Sequence, residues 1–220
     1  MKPLLRNKYR EHDPVWHAQA AIVIAIVLQL LLPDRYVFGS RFVLIAAELI
    51  LMLALSYTTP KEKIFRSITR HLNVFLLIAV SGLVNVYGLV QVARQLLGSH
   101  HISNGRALIL AAVNIYLTNV IIFGLWYWEM DGGGPGQRMQ AARHEQDFLF
   151  PQDQDENYKH PQWRPTFVDY LYVSSTNAMA FSPTDTLPLS RRAKLLMLAQ
   201  ATISLIAIAL VAARAVNILN

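Results

Sequence analysis

The chain alternates long apolar runs with short polar breaks. Residues 15–32 run apolar until Pro33 and Asp34 stop them, and residues 42–57 do so until Thr58, Thr59 and Pro60. Further runs cover 72–97, 107–127 and 194–219. Runs of this kind approach or exceed the about 20 residues with which an α-helix crosses the bilayer hydrocarbon. The pattern predicts an all-α polytopic membrane protein with five transmembrane helices. It adds one short helix at 167–173, too short to span and therefore re-entrant or interfacial. Between the second and third runs lies the basic stretch KEKIFRSITRH. Its Ile64, Phe65 and Ile68 recur at helical spacing, which predicts a short amphipathic helix in the membrane interface.

Three regions follow. Residues 1–130 form a four-helix transmembrane region, 131–165 a polar connector, and 166–220 a short helix, a polar turn at 174–185 and the last span. The fourth run ends in WYWEM, where Trp126, Tyr127 and Trp128 are expected to form an aromatic belt at the headgroups. Asp131, Gly132, Gly133, Gly134, Pro135 and Gly136 then terminate the helix. The connector holds one apolar island, Phe148, Leu149, Phe150 and Pro151, expected to dock back on the helices. Ser190 is a candidate N-cap for the last helix.

Composition supports the membrane reading. Hydrophobic residues make up 54% and charged residues 15%, against about 25% charged in soluble domains. The net charge of +6 does not require nucleic acid, and no basic and aromatic nucleic-acid motif is present. Basic residues instead orient a membrane protein. Lys2, Arg6, Lys8, Arg10, Lys61, Lys63, Arg66, Arg70, Arg191, Arg192 and Lys194 fall on one side, and Arg35, Arg41 and Arg106 on the other. The positive-inside rule then puts the N-terminus and the 128–193 connector in the cytoplasm and the C-terminus outside. The first run is too long for a signal-peptide core and no small-residue cleavage site follows it, so it reads as a retained span. The absence of cysteine excludes disulfides, thiolate metal sites and cysteine catalysis.

Candidate chemistry is sparse. Glu48 is the clearest charge inside a span, with Arg94 and Arg214 as possible partners at the same side of the bilayer. A relay and a structural ion pair are both open readings, the second favoured. Asn85, Gln91, Asn114, Asn119 and Gln200 are amides within spans and suit helix–helix hydrogen bonding. His100 and His101 are adjacent but lack a third ligand, and Asp153, Asp155 and Glu156 lack the glycine and terminal Glu of a calcium loop. No convergent catalytic set appears, so neither an enzyme nor a cofactor is expected. In the polar turn, Ser174, Ser175, Thr176, Asn177 and Asp185 are candidate pore-lining residues. The turn lacks the glycines of a potassium filter, so a carbonyl ladder is not expected. A plain turn between two helices is an equally open reading.

The layout of YLYVSST, a filter-like turn and an inner helix with Pro188, Ser190, Ala193, Leu195 and Gln200 resembles the pore-loop module of potassium-channel-like proteins, without its glycine filter. The stretches WYWEMDGGGPGQR, FLFPQ, DYLYVSSTNAMAFSPTDT and ARAVNIL also resemble an uncharacterised family of small bacterial integral membrane proteins. That resemblance implies a bacterial inner-membrane setting and a pore-loop-like C-terminal half. The resulting expectation is a channel-like membrane protein, an oligomeric ion-conducting pore without potassium selectivity. The alternative is a non-conducting structural or accessory subunit. The expected partners are the lipid bilayer and a homo-oligomer or larger membrane complex.

Overall fold

One helix, Gly105–Met130 (α3), is the axis against which the other long described helices pack. The computed structural model describes residues 15–33, 45–46, 49, 64–97, 105–138, 146–154, 163–179 and 185–219. The other long helices are Val15–Leu31 (α1), Ile64–Leu97 (α2) and Arg191–Leu219 (α7), with the shorter Phe167–Met179 (α6). Two one-turn helices, Pro135–Arg138 (α4) and Pro151–Gln154 (α5), lie in the connector. The strands Phe148–Leu149 (β1) and Leu187–Pro188 (β2) pair antiparallel, Phe148 opposite Pro188 and Leu149 opposite Leu187. The described residues are mostly helical, as an all-α chain requires.

Each helix buries a stripe at helical spacing. In α1 this is Ala18, Ala21, Ile22, Ala25, Ile26 and Gln29, and Pro33 stops the helix. In α7 it is Ala193, Gln200, Ser204 and Ala207. The outward faces are apolar too: Val23, Ile24 and Val27 on α1, Leu83 on α2, Leu110 on α3, and Leu195, Leu198 and Leu205 on α7 are exposed. Two segments, Ala107–Gly133 along α3 and Arg191–Ala213 along α7, are long and apolar enough to cross a membrane.

Several expectations change at this level. The basic stretch before the third run does not form a separate interfacial helix, because α2 is continuous from Ile64 through Leu97. No Gly or Pro interrupts that join, and the hydrogen-bond ladder carries on. The helix expected at 167–173 extends to Met179 and takes in Ser174, Ser175, Thr176 and Asn177, so those four residues are helical and not part of a turn. Nothing in YVSSTNAM breaks a helix, and Thr166 starts it. The Thr166 amide and hydroxyl both donate to Asp169 Oδ2, at 2.7 and 2.9 Å, the reciprocal arm of a capping box. At the start of α7 the Ala193 amide donates to Ser190 Oγ at 3.1 Å, so Ser190 caps that helix as expected.

Of two buried apolar clusters, the smaller surrounds the N-terminal half of α3 and the larger gathers at its C-terminal end. Tyr127 and Trp128 are fully buried there and are not a headgroup belt. They meet Phe148, Phe150, Phe167 and Tyr170, so the apolar island of the connector docks as anticipated. Trp128 with Phe167, Phe148 with Tyr170, and Phe150 with both Trp163 and Tyr170 pack edge to face. Such pairs each contribute about 0.5–1.5 kcal/mol beyond area burial. Gly124 lets α6 approach: a Cβ there would lie 3.2 Å from Leu171 Cα.

Candidate functional site

The chain reverses immediately after α3, and the glycine run makes this possible. Gly132, Gly133 and Gly134 have φ of 58, 78 and 87°, in the region that side-chain-bearing L-residues disfavour. The reversal brings Arg138 back beneath the helix end. Its Nη1 donates to the carbonyls of Trp128 and Asp131, each at 2.7 Å. The Trp128 carbonyl is one that a helix terminus leaves without an intrahelical partner, the Asp131 carbonyl also accepts the Gly134 amide at 3.0 Å, and a cation suits that end of the helix dipole.

Asp131 fastens the connector to this end. Its Oδ1 accepts the amides of Asp147 and Phe148 at 2.6 and 3.3 Å. Its Oδ2 accepts the Tyr170 hydroxyl of α6. The Arg138 guanidinium lies over the Tyr170 ring, 4.9 Å from its centroid, a cation–π contact. Asp147 continues the chain of contacts. Its carbonyl accepts the Leu189 amide at 2.8 Å, and its carboxylate takes a two-pronged pair from Arg192 of α7, at 2.7 and 2.8 Å. Asp131, Asp147 and Arg138 are all buried. Buried charges are costly unless paired and hydrogen-bonded, and here they join α3, the connector, α6 and α7 into one unit.

One turn deeper is an uncharged layer centred on Gln200, which is fully buried. Its Oε1 accepts the Tyr127 hydroxyl at 2.6 Å and the Asn177 amide at 2.8 Å. Its Nε2 donates to Ser174 Oγ and to the Ser174 carbonyl, at 2.6 and 2.9 Å. Ser174 donates in turn to the Val120 carbonyl at 2.6 Å, and Asn177 to the Met197 carbonyl at 2.9 Å. Further along α3, Asn119 donates to Ser204 Oγ, Asn114 to the Leu28 carbonyl and Asn85 to the Ile115 carbonyl, at 2.8, 2.6 and 2.9 Å. The span amides therefore cross-link helices, as their residue types suggested. Gln91 is the exception, since it donates to Tyr87 on its own helix.

The pore-lining candidates separate into two groups. Ser174 and Asn177 turn inward and join the Gln200 layer. Ser175 and Thr176 are half-buried, and Thr176 bonds back to the carbonyls of Tyr172 and Val173 at 3.0 Å each. Asp185 is exposed, beyond the end of α6. Of the intramembrane charge candidates, Arg94 is exposed on α2, while Glu48 and the Arg214 side chain lie outside the described residues.

Sequence reasoning missed Asp131, Arg138, Asp147 and Tyr170. Asp131 read as the start of a helix stop, and Arg138 and Asp147 as members of a solvated connector. The available signal was an acid at the end of an apolar run, followed by three glycines and then an arginine. Comparison with family models, with curated proteins and with solved structures returned no match.

Proposed function

We propose that this chain is a multi-pass membrane protein acting as a non-conducting structural or accessory subunit of a larger membrane assembly. The observation that supports this most is the internal use of the polar groups expected to line a pore. Ser174 and Asn177 are bonded to α3 and α7 of the same chain. The membrane setting is supported by the two long apolar helices and by apolar side chains on the outer faces of α1, α2, α3 and α7. In this proposal the chain crosses five times, at 15–32, 42–57, 72–97, 107–127 and 194–219, in a bacterial inner membrane. The N-terminus and the connector face the cytoplasm.

Purification in mild detergent with its native partners tests the role. Reproducible co-purification with one larger complex supports it. A stable homo-oligomer that gives discrete conductance in planar bilayers overturns it in favour of a channel, in which Ser175, Thr176 and Asp185 remain available to face an axis. The cysteine-free sequence makes topology accessible. Single cysteines introduced in the connector and among residues 98–104 should be labelled by impermeant maleimide from opposite sides of the membrane.

A further inference from the structure

Three buried acceptors lie along the faces where α1, α2 and α3 meet. Asn85 on α2 and Asn114 and Thr118 on α3 are each more than nine-tenths buried. Asn85 Oδ1, Asn114 Oδ1 and Thr118 Oγ1 find no hydrogen-bond partner among the described residues. Both amide groups are fixed through their NH2 ends, Asn114 on the Leu28 carbonyl of α1 and Asn85 on the Ile115 carbonyl of α3. Their oxygens are therefore held in place without a donor among the described residues.

Thr118 belongs to the same seam. It follows Asn114 by one helical turn and Ile115 by three residues, so it shares their face. The helix α2 passes on either side of it in height. Asn85 bonds at Ile115, and Gly82 lies against Ile122, where an added Cβ would be 4.0 Å from the isoleucine side chain. Thr118 therefore faces the line between α1, anchored at Asn114, and α2.

Three uncharged acceptors require a guest that donates. A buried amide or hydroxyl oxygen without a donor bears a desolvation cost, and natural proteins meet it with internal water, which needs two to four polar partners. The acceptors in this set are neutral, and a bare cation at this depth would lack the compensating charge that burial demands. We propose that the α1–α2–α3 seam is an internal binding site for water, held by Asn85 Oδ1, Asn114 Oδ1 and Thr118 Oγ1. The site is independent of the subunit role proposed above.

Water-edited solid-state NMR of the full chain in lipid nanodiscs tests this directly. Magnetisation transfer from water to the side-chain amide protons of both Asn85 and Asn114 is the expected result. Thr118→Val is the second measurement. With water held at the hydroxyl, its removal lowers the midpoint of thermal unfolding by roughly 2 °C or more. Absence of water transfer to both amides overturns the proposal. So does a rise in that midpoint, which would mean that a dry, unpaired hydroxyl had been removed. A shift of the Asn85 and Asn114 signals when sodium is exchanged for choline would assign the site to a cation instead.

Discussion

The two ends of α3 handle buried polarity differently. At the Asp131 end the groups are ionisable, and two buried carboxyl groups each meet more than one donor: two amides and a tyrosine for Asp131, a bidentate arginine for Asp147. At the Asn114 end the groups are neutral, and Asn114 and Asn85 each make one interhelical bond and leave their oxygens without a donor among the described residues. The difference follows from cost. Removing a charge from water without compensation costs several kcal/mol, whereas a half-satisfied amide costs about 1–3. Asp131 and Asp147 are buried where backbone amides and an arginine converge, and the glycine reversal and the docked connector supply that convergence.

The largest expected effect comes from Asp131→Ala, which strands two connector amides and the buried Tyr170 hydroxyl. A loss of about 3–5 kcal/mol is expected, read as a fall in the thermal midpoint of the purified protein. Asn114→Ala should cost only about 1 kcal/mol, and equal losses for the two would break the comparison. Next is Gln200→Leu. It leaves the Tyr127 hydroxyl and the Asn177 amide without their shared acceptor, at about 2–3 kcal/mol in the same assay. Gly132→Ala follows at about 1–2 kcal/mol, from the left-handed backbone alone. Its Cβ would also fall 2.8 Å from Arg138 Cγ, so proteolysis of the connector should accelerate as the Arg138 cap is displaced. The smallest effect belongs to Arg192→Gln. The Arg192 side chain is 59% exposed, so the loss should be about 1 kcal/mol or less and should shrink further in high salt. Unchanged salt sensitivity would show that Asp147 is held by its backbone contacts alone.

The helices were legible because periodic apolar residues and stop signals are local. Pro33, Ser190 and the amides of α3 and α7 each act within one turn or across one helix contact. The Asp131 clamp was not legible, because its partners are distant in the chain and ordinary in type. Nothing local distinguishes Asp147 from the other acids of a polar connector until Phe148 and Phe150 carry it into the core. The turn expected at 174–185 failed over 174–179 for a related reason. Serine, threonine and asparagine suit both a turn and a helix with inward polar contacts, and Gln200, 26 residues from Ser174, selects the helix. The aromatic run 126–128 likewise reads as a belt by composition and becomes core once the connector covers it.

The Asp131 clamp also has an order in time. The Arg138 cap closes within seven residues of Asp131, but the carboxylate waits 39 residues for Tyr170. During synthesis α3 therefore acquires a finished end well before Asp131 has its full set of partners. Until α6 emerges, that acid belongs in water, because burying it short of its donors is costly. Completion of the clamp then marks the arrival of α6, and Arg192 adds the final contact only when the last helix has been made.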